Sequence, residues 1–168
     1  MKKLLVALVF SAVSMSVMAV SVTWSVTEGL DSSTIGGVAY LFSGNDASGV
    51  PAAIEGGTFN PSSAIATANI EDADGFGEIF KSKIGSYSEG DSASFYMVVF
   101  DSPSYNPDAN YKVSGVTPVT FGKANKTVDF SDSIASASWA PVTPVPEPTT
   151  VALLALGLAA LGLKRKVA

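Results

Sequence analysis

The sequence contains neither cysteine nor histidine, and only 15% of its 168 residues are charged. Without cysteine there are no disulfides and no thiolate nucleophile, and without both residue types there is no Cys/His zinc site and no His-based catalytic triad. Apolar residues make up 47% of the chain, which is enough for a sizeable core in one domain. Disorder of the whole chain is therefore not expected.

The amino-terminal residues have the three-part pattern of a secretory signal peptide. Two lysines precede an apolar run over residues 4–10, and a less apolar, serine-containing stretch over residues 11–18 leads to Ala19. The run is shorter than the ~20 apolar residues that a membrane-spanning helix needs. We therefore expect a helical signal peptide over residues 1–19, which signal peptidase removes by cutting between Ala19 and Val20.

The carboxyl-terminal residues carry a second and more specific pattern. A proline-rich stretch ends in the motif Val145, Pro146, Glu147 and Pro148. An uninterrupted apolar run follows over residues 151–163, and after it comes a basic cluster of Lys164, Arg165 and Lys166. Thirteen residues span only about 20 Å as a helix, against a hydrocarbon core of about 30 Å. Because basic residues stay cytoplasmic, this pattern predicts a marginal inner-membrane anchor with the body of the protein outside.

This tail resembles the PEP-CTERM sorting signal, and the resemblance extends from residue 145 to about residue 166. It implies processing by an exosortase, a membrane-embedded enzyme that cleaves near the Pro-Glu-Pro triplet. It also implies passage to the cell surface or extracellular matrix of a bacterium with an outer membrane, and a link to exopolysaccharide. Two prolines hold the segment around Glu147 extended, which would present a single carboxylate to the enzyme. A proline-rich linker before an ordinary single-pass helix is the alternative.

The body between the two ends is strongly acidic. Residues 20–143 contain fourteen acidic residues and five lysines, a net charge of −9. Such a surface makes nucleic acid an implausible partner. It suits a soluble domain within a hydrated matrix, where polysaccharide is a possible partner.

The body also has the period-two alternation of β-strands. In residues 22–27, Val22, Trp24 and Val26 share one face and hydroxyl side chains share the other. Residues 95–100 are apolar throughout, which predicts a central strand covered on both faces. Further strands are predicted at residues 38–42, 64–70, 78–81, 111–113, 119–121 and 127–130.

The sequence therefore predicts an all-β domain, an antiparallel β-sandwich or a jelly-roll-like barrel, over residues 20–130. A spacer rich in Ser, Thr and Pro follows over residues 131–144, and the sorting signal occupies residues 145–168 with its hydrophobic helix at 151–163. The body is similar to short PEP-CTERM proteins that have no assigned activity.

Four carboxylates lie close together in the sequence, at Glu71, Asp72, Asp74 and Glu78. Oxygen ligands at short spacing suit Ca²⁺, which makes Asp72, Asp74 and Glu78 the candidate ligands. However, the twelve-residue calcium-loop pattern is absent, and Asp74 with the glycine after it is a hairpin-turn dipeptide. A solvated turn that joins residues 64–70 to residues 78–81 is the preferred interpretation, and no cofactor is expected.

No constellation of residues predicts catalysis. Fourteen carboxylates guarantee some pair at the spacing of a glycosidase, so such a pair has no specificity. Tyr105 lies in a Ser/Asn/Pro loop, where we expect it to be exposed and able to stack on a sugar. We predict a non-enzymatic structural or adhesive protein, with a carbohydrate-binding module as the alternative and a small carbohydrate-active enzyme as a weaker third. A row of exposed aromatic side chains on one sheet face would favour the carbohydrate-binding module.

Overall fold

A computed structural model describes residues 19–142, and these fold into two packed sheets that form a β-sandwich. The fold class predicted from the alternating pattern is thereby confirmed. The signal peptide before residue 19, the Pro-Glu-Pro motif, the tail helix and the basic cluster all lie outside the described residues.

The described residues form ten strands and two short α-helices. The strands are β1 (Val20–Leu30), β2 (Val38–Ser43), β3 (Ala66–Asn69), β4 (Glu71–Ala73), β5 (Phe76–Tyr87), β6 (Ser92–Phe100), β7 (Asn110–Val113), β8 (Thr117–Thr120), β9 (Lys126–Asp129) and β10 (Ala140–Pro141). The helices are α1 (Val50–Glu55) and α2 (Ser131–Ala135). Single 3-10 turns occur at Ser32–Thr34 and Pro61–Ser63. Within residues 19–142, no helix combines the length and the apolar character that crossing a membrane requires.

The smaller sheet has four strands in the order β4-β5-β1-β9. Val22, Trp24 and Val26 of β1 point into the core between the sheets, as their alternation predicts, and each is 0% exposed. β1 pairs antiparallel with β5 but parallel with β9. The sandwich is therefore antiparallel except at this one pairing, which local alternation cannot reveal.

The larger sheet has the order β10-β7-β6-β2-β3, and β8 also pairs with β6. Its centre is β6, the apolar run, and the prediction of a strand covered on both faces is confirmed. Phe95, Met97 and Val99 face the core between the sheets. Val98 and Phe100 face a second hydrophobic cluster on the outer side of the sheet.

The turn at Asp74 is present, but the predicted hairpin partners are wrong. Asp74 and Gly75 have φ angles of +54° and +91°, as a tight turn of this kind requires. The turn joins β4 to β5, whereas β3 pairs with β2 in the other sheet. The chain changes sheets at Ile70, which is 2% exposed and exchanges backbone hydrogen bonds with Gly36 and Gly37. One buried residue thus separates two strands that the sequence pattern merges.

Residues 131–142 belong to the folded domain, so the domain boundary predicted at residue 130 is wrong. α2 packs on β1, where Gly29 (φ +88°) gives the helix room to approach. Ile134 is 0% exposed, and Val142 is 4% exposed and donates its backbone N–H to Ala109 at 2.9 Å. This stretch is rich in Ser and Ala, so its composition does not indicate that a few of its apolar side chains are buried in the domain.

Candidate functional site

An open cleft with a volume of 390 Å³ lies on the outer face of the larger sheet, next to α1. Two strands, α1 and the loops on either side of α1 contribute its walls. The residues that line it are Phe42, Asp46, Gly49, Val50, Ala53, Thr58, Phe59, Asn60, Ser63 and Tyr96.

The local sequence explains where α1 begins and ends. Pro51 lies in the first turn of α1, where its missing N–H is not needed. The helix ends at Glu55 with Gly56 as its C-cap, and Gly57, with φ +65°, turns the chain back. Thr58 and Phe59 then donate their backbone N–H groups to Ala53 O at 2.8 and 3.0 Å. This short reversal brings the Phe59 ring over the sheet.

Aromatic rings form the floor of the cleft. Phe42 and Tyr96 are directly opposite each other on β2 and β6, and their rings stack at 5.3 Å with an interplanar angle of 13°. Phe59 meets Phe42 edge to face at 5.7 Å. Phe42 is buried, whereas Tyr96 is half-buried and forms part of the cleft lining. The stacked pair therefore fixes the plane of a tyrosine ring that solvent can reach.

The lining of the cleft contains one charged side chain, that of Asp46. Hydrogen bonds from Ser48 lower the pKa of Asp46, whose carboxylate accepts from the Ser48 backbone N–H at 2.8 Å. Burial raises the pKa of Tyr96, and the nearby charge of Asp46 raises it further. At neutral pH the site therefore holds an ionised carboxylate and a neutral phenol. The lining residues include no lysine or arginine, so nothing in the lining would attract an anion.

A second surface with exposed aromatic side chains lies on the outer face of the smaller sheet. Phe76 and Phe80 of β5 are 64% and 56% exposed, and Glu78 lies between them. Phe76 and Glu78 also border a smaller cavity of 290 Å³ that Glu28 helps to line. Within residues 19–142, the exposed aromatic side chains that would favour a carbohydrate-binding module on a sheet face are these two phenylalanines.

The carboxylates proposed as calcium ligands do not converge. Glu71 is paired with Glu78 across β4 and β5, and Asp72 Oδ1 accepts from the Gly75 backbone N–H at 2.8 Å. Over residues 19–142, no three acidic side chains lie together in a way that could hold a metal ion. Asp72 lies in β4 and Glu78 in β5, and Asp74 lies in the turn that joins the two strands.

Tyr105 is half-buried, so the expectation that it is an exposed sugar-stacking residue is wrong. Its ring packs against Phe59 at 5.2 Å and Phe100 at 5.5 Å. Its hydroxyl donates to Ile54 O at 3.3 Å, which ties α1 to the loop after β6. Tyr96 is also half-buried, but it lines the cleft, whereas sequence reasoning placed it in the apolar central strand. The signal for it was a hydroxyl-bearing ring within an otherwise apolar run.

Comparison with known proteins identifies the tail of the chain. Residues 144–166 match the family model of the PEP-CTERM protein-sorting motif. The predicted motif residues and basic cluster fall inside this match, and the sorting prediction is confirmed. The chain is therefore an exported exosortase substrate that is anchored at the membrane before processing. No curated protein and no solved structure matches the chain.

Proposed function

We propose that this protein is a non-enzymatic component of the cell surface or extracellular matrix, with a structural or adhesive role linked to exopolysaccharide. The PEP-CTERM motif at residues 144–166 is the observation that carries the proposal, because it directs an exported protein to exosortase. Signal peptidase would release the amino terminus at Val20, and exosortase would release the folded domain from its tail.

The charge of the domain supports this role. The acidic body has a net charge of −9, which favours solubility and self-repulsion over aggregation in a crowded matrix. A neutral polysaccharide can approach such a surface without electrostatic cost, whereas polyanions are repelled. A carbohydrate-binding module is the second candidate function, which the accessible aromatic side chains of the cleft and of β5 favour.

Fractionation of the native host tests the sorting part of the proposal. In a strain with exosortase, we expect the protein in the matrix, with its first residue at Val20 and its last near residues 146–149, as measured by intact mass. Glu147→Ala, or replacement of the three basic tail residues by serine, should leave the domain folded but retain it in the membrane fraction. Glu89→Ala removes an exposed carboxylate from the domain instead, and is the matched control. Normal surface display of the Glu147→Ala variant would contradict this reasoning.

The functional part needs a separate measurement. A strain that lacks the protein should release more exopolysaccharide into the medium and form a less cohesive matrix than its parent. Complementation with the wild-type chain should restore both properties, and complementation with the Glu147→Ala variant should not. If the protein reaches the matrix but its loss changes neither polysaccharide retention nor cohesion, the structural or adhesive role is refuted.

A further inference from the structure

Tyr96 offers a ligand a flat, preorganised surface. Its ring is held at one angle by the stack on Phe42, and Gly44 leaves its edge uncovered, since an added Cβ there would come within 3.1 Å of Tyr96 Cε1. Among residues 19–142, no hydrogen-bond partner exists for the Tyr96 hydroxyl, which therefore remains available. A flat apolar ring with a hydroxyl at its tip suits the face of a sugar ring, whose C–H groups stack while its hydroxyls form hydrogen bonds.

The rim of the cleft supplies the hydrogen-bonding groups that an apolar groove would lack. Asp46, Thr58, Asn60 and Ser63 are exposed and border the same opening. The ionised carboxylate of Asp46 can accept from sugar hydroxyls, whereas amide and hydroxyl side chains can both donate and accept. The volume of 390 Å³ lies in the range of small-molecule sites, which runs from about 300 to 1,000 Å³.

The charge of the cleft favours an uncharged sugar as the ligand over an anionic one. Asp46 is ionised, and Glu55 is an exposed acidic residue at the end of the adjacent helix. With no lysine or arginine in the lining, a uronate or a sulfated sugar would meet repulsion and no counter-charge. An uncharged sugar meets neither obstacle.

The exposed pair Phe76 and Phe80 is a weaker match to a sugar. Phenylalanine has no hydroxyl, and Glu78 is the polar group between the two rings. The smaller cavity beside Phe76 has no second aromatic ring in its lining. These two residues therefore serve as a comparison for the cleft.

We propose that the cleft beside α1 binds an uncharged sugar unit of a polysaccharide, with the Tyr96 ring as the stacking platform and Asp46, Asn60 and Ser63 as hydrogen-bonding partners. The inference rests on the proposed link to exopolysaccharide and adds its binding site and the charge of its ligand.

Affinity electrophoresis of the mature protein tests this inference. Native gels are cast with neutral polysaccharides (dextran, galactomannan and mixed-linkage glucan), with anionic ones (alginate and polygalacturonate), or with the neutral fraction of the host exopolysaccharide. We expect retardation in at least one neutral gel and none in the anionic gels. Tyr96→Ala should weaken the binding at least about tenfold, as removal of a central aromatic contact does.

A second variant blocks the cleft without disturbing the fold. Gly49 lines the cleft, its φ is not in the left-handed region, and an added Cβ would meet no atom within 4 Å. Gly49→Gln should therefore fold normally and block access of the ligand to the cleft. If Tyr96→Ala fails to fold, Gly49→Gln alone tests whether the cleft binds the sugar. Gly122→Gln is the matched control, because Gly122 has the same freedom but lies outside the cleft. Phe80→Ala is the control for an aromatic side chain outside the cleft.

The outcomes separate the two proposals. Loss of neutral-sugar binding in Tyr96→Ala and Gly49→Gln, with normal binding in both controls, supports the cleft. Binding that only Phe80→Ala abolishes, or retardation in anionic gels alone, would overturn it. A protein that reaches the matrix and is retarded by no polysaccharide would refute the sugar site while leaving the sorting conclusion intact. A dimer that Gly49→Gln disrupts, without any sugar binding, would show that a second copy covers the cleft.

Discussion

Substitution of Trp139 tests where the folded domain ends, because Trp139 lies in the stretch that the composition predicts to be a spacer. Its half-buried ring packs against the main core, and Lys112 Nζ lies 5.0 Å from the ring centroid. Lys112 is itself only 7% exposed, and its ammonium donates to Gly29 O at 3.5 Å. A buried cation and an aromatic ring thus hold the last strand, β10, against the sandwich.

The expected cost of Trp139→Ala follows from these contacts. Truncation of a fully buried Trp costs about 3–5 kcal/mol, so a half-buried ring should contribute about 2 kcal/mol. The cation–π contact with a largely desolvated lysine adds about 1 kcal/mol. We therefore expect the free energy of unfolding to fall by about 3 kcal/mol, a large part of the 5–15 kcal/mol that holds a typical domain together.

Urea unfolding of the mature protein, followed by far-UV circular dichroism, measures this change. Lys112→Met, alone and combined with Trp139→Ala, isolates the coupling between the two side chains. Ser138→Ala, at an exposed neighbouring position, is the control and should lie within about 0.5 kcal/mol of the wild type. If Trp139→Ala also unfolds within that margin, residues 131–142 behave as a spacer and the reasoning is refuted.

Three further predictions concern the fold itself. Val98→Asp should destabilise the domain by more than about 4 kcal/mol because it buries an unpaired charge in β6, and an unfolding midpoint equal to that of Val98→Ala would contradict this. Gly29→Ala should lower the thermal midpoint because its Cβ would lie 2.8 Å from Ala135 Cβ, whereas Gly122→Ala should not. Stability should fall above pH 10.0, because burial raises the pKa of three tyrosines in the folded state and the unfolded chain loses those protons first. These tyrosines are Tyr87, Tyr96 and Tyr111. A spectrophotometric titration in which every tyrosine of the folded protein has a pKa of 10.0 would refute this prediction.

The elements that sequence reasoning identifies are those whose pattern is local. The alternation around Trp24 and the apolar run at residues 95–100 place β1 and β6 correctly, because burial of one or both faces dictates side-chain type directly. Which strands pair with each other is not encoded in any local segment. The parallel contact of β1 with β9, and the division at Ile70 that sends β3 and β4 to different sheets, depend on residues far apart in sequence.

The sorting motif and the cleft differ in the same way. Pro146, Glu147 and Pro148 form a contiguous signal, so the sequence alone identifies them. The cleft brings together residues from β2, α1, the following loop and β6, and α1 itself is only six residues long with no amphipathic period to reveal it. The register of β2 and β6 places Tyr96 opposite Phe42 and so into the lining of the cleft.

The burial of Val142 sets the length of tether between the domain and the membrane. Only three residues separate Val142 from Pro146, and the apolar run begins at residue 151. At about 3.3–3.6 Å per extended residue, Glu147 lies no more than about 18 Å from Val142, and residue 151 no more than about 32 Å. If residues 151–163 enter the bilayer, as the tail pattern predicts, Val142 is held within about 32 Å of the bilayer before processing. An exosortase that acts after folding would then have to reach the Pro-Glu-Pro triplet between the folded domain and the bilayer. The size of the folded domain would therefore limit the access of the enzyme to its cleavage site.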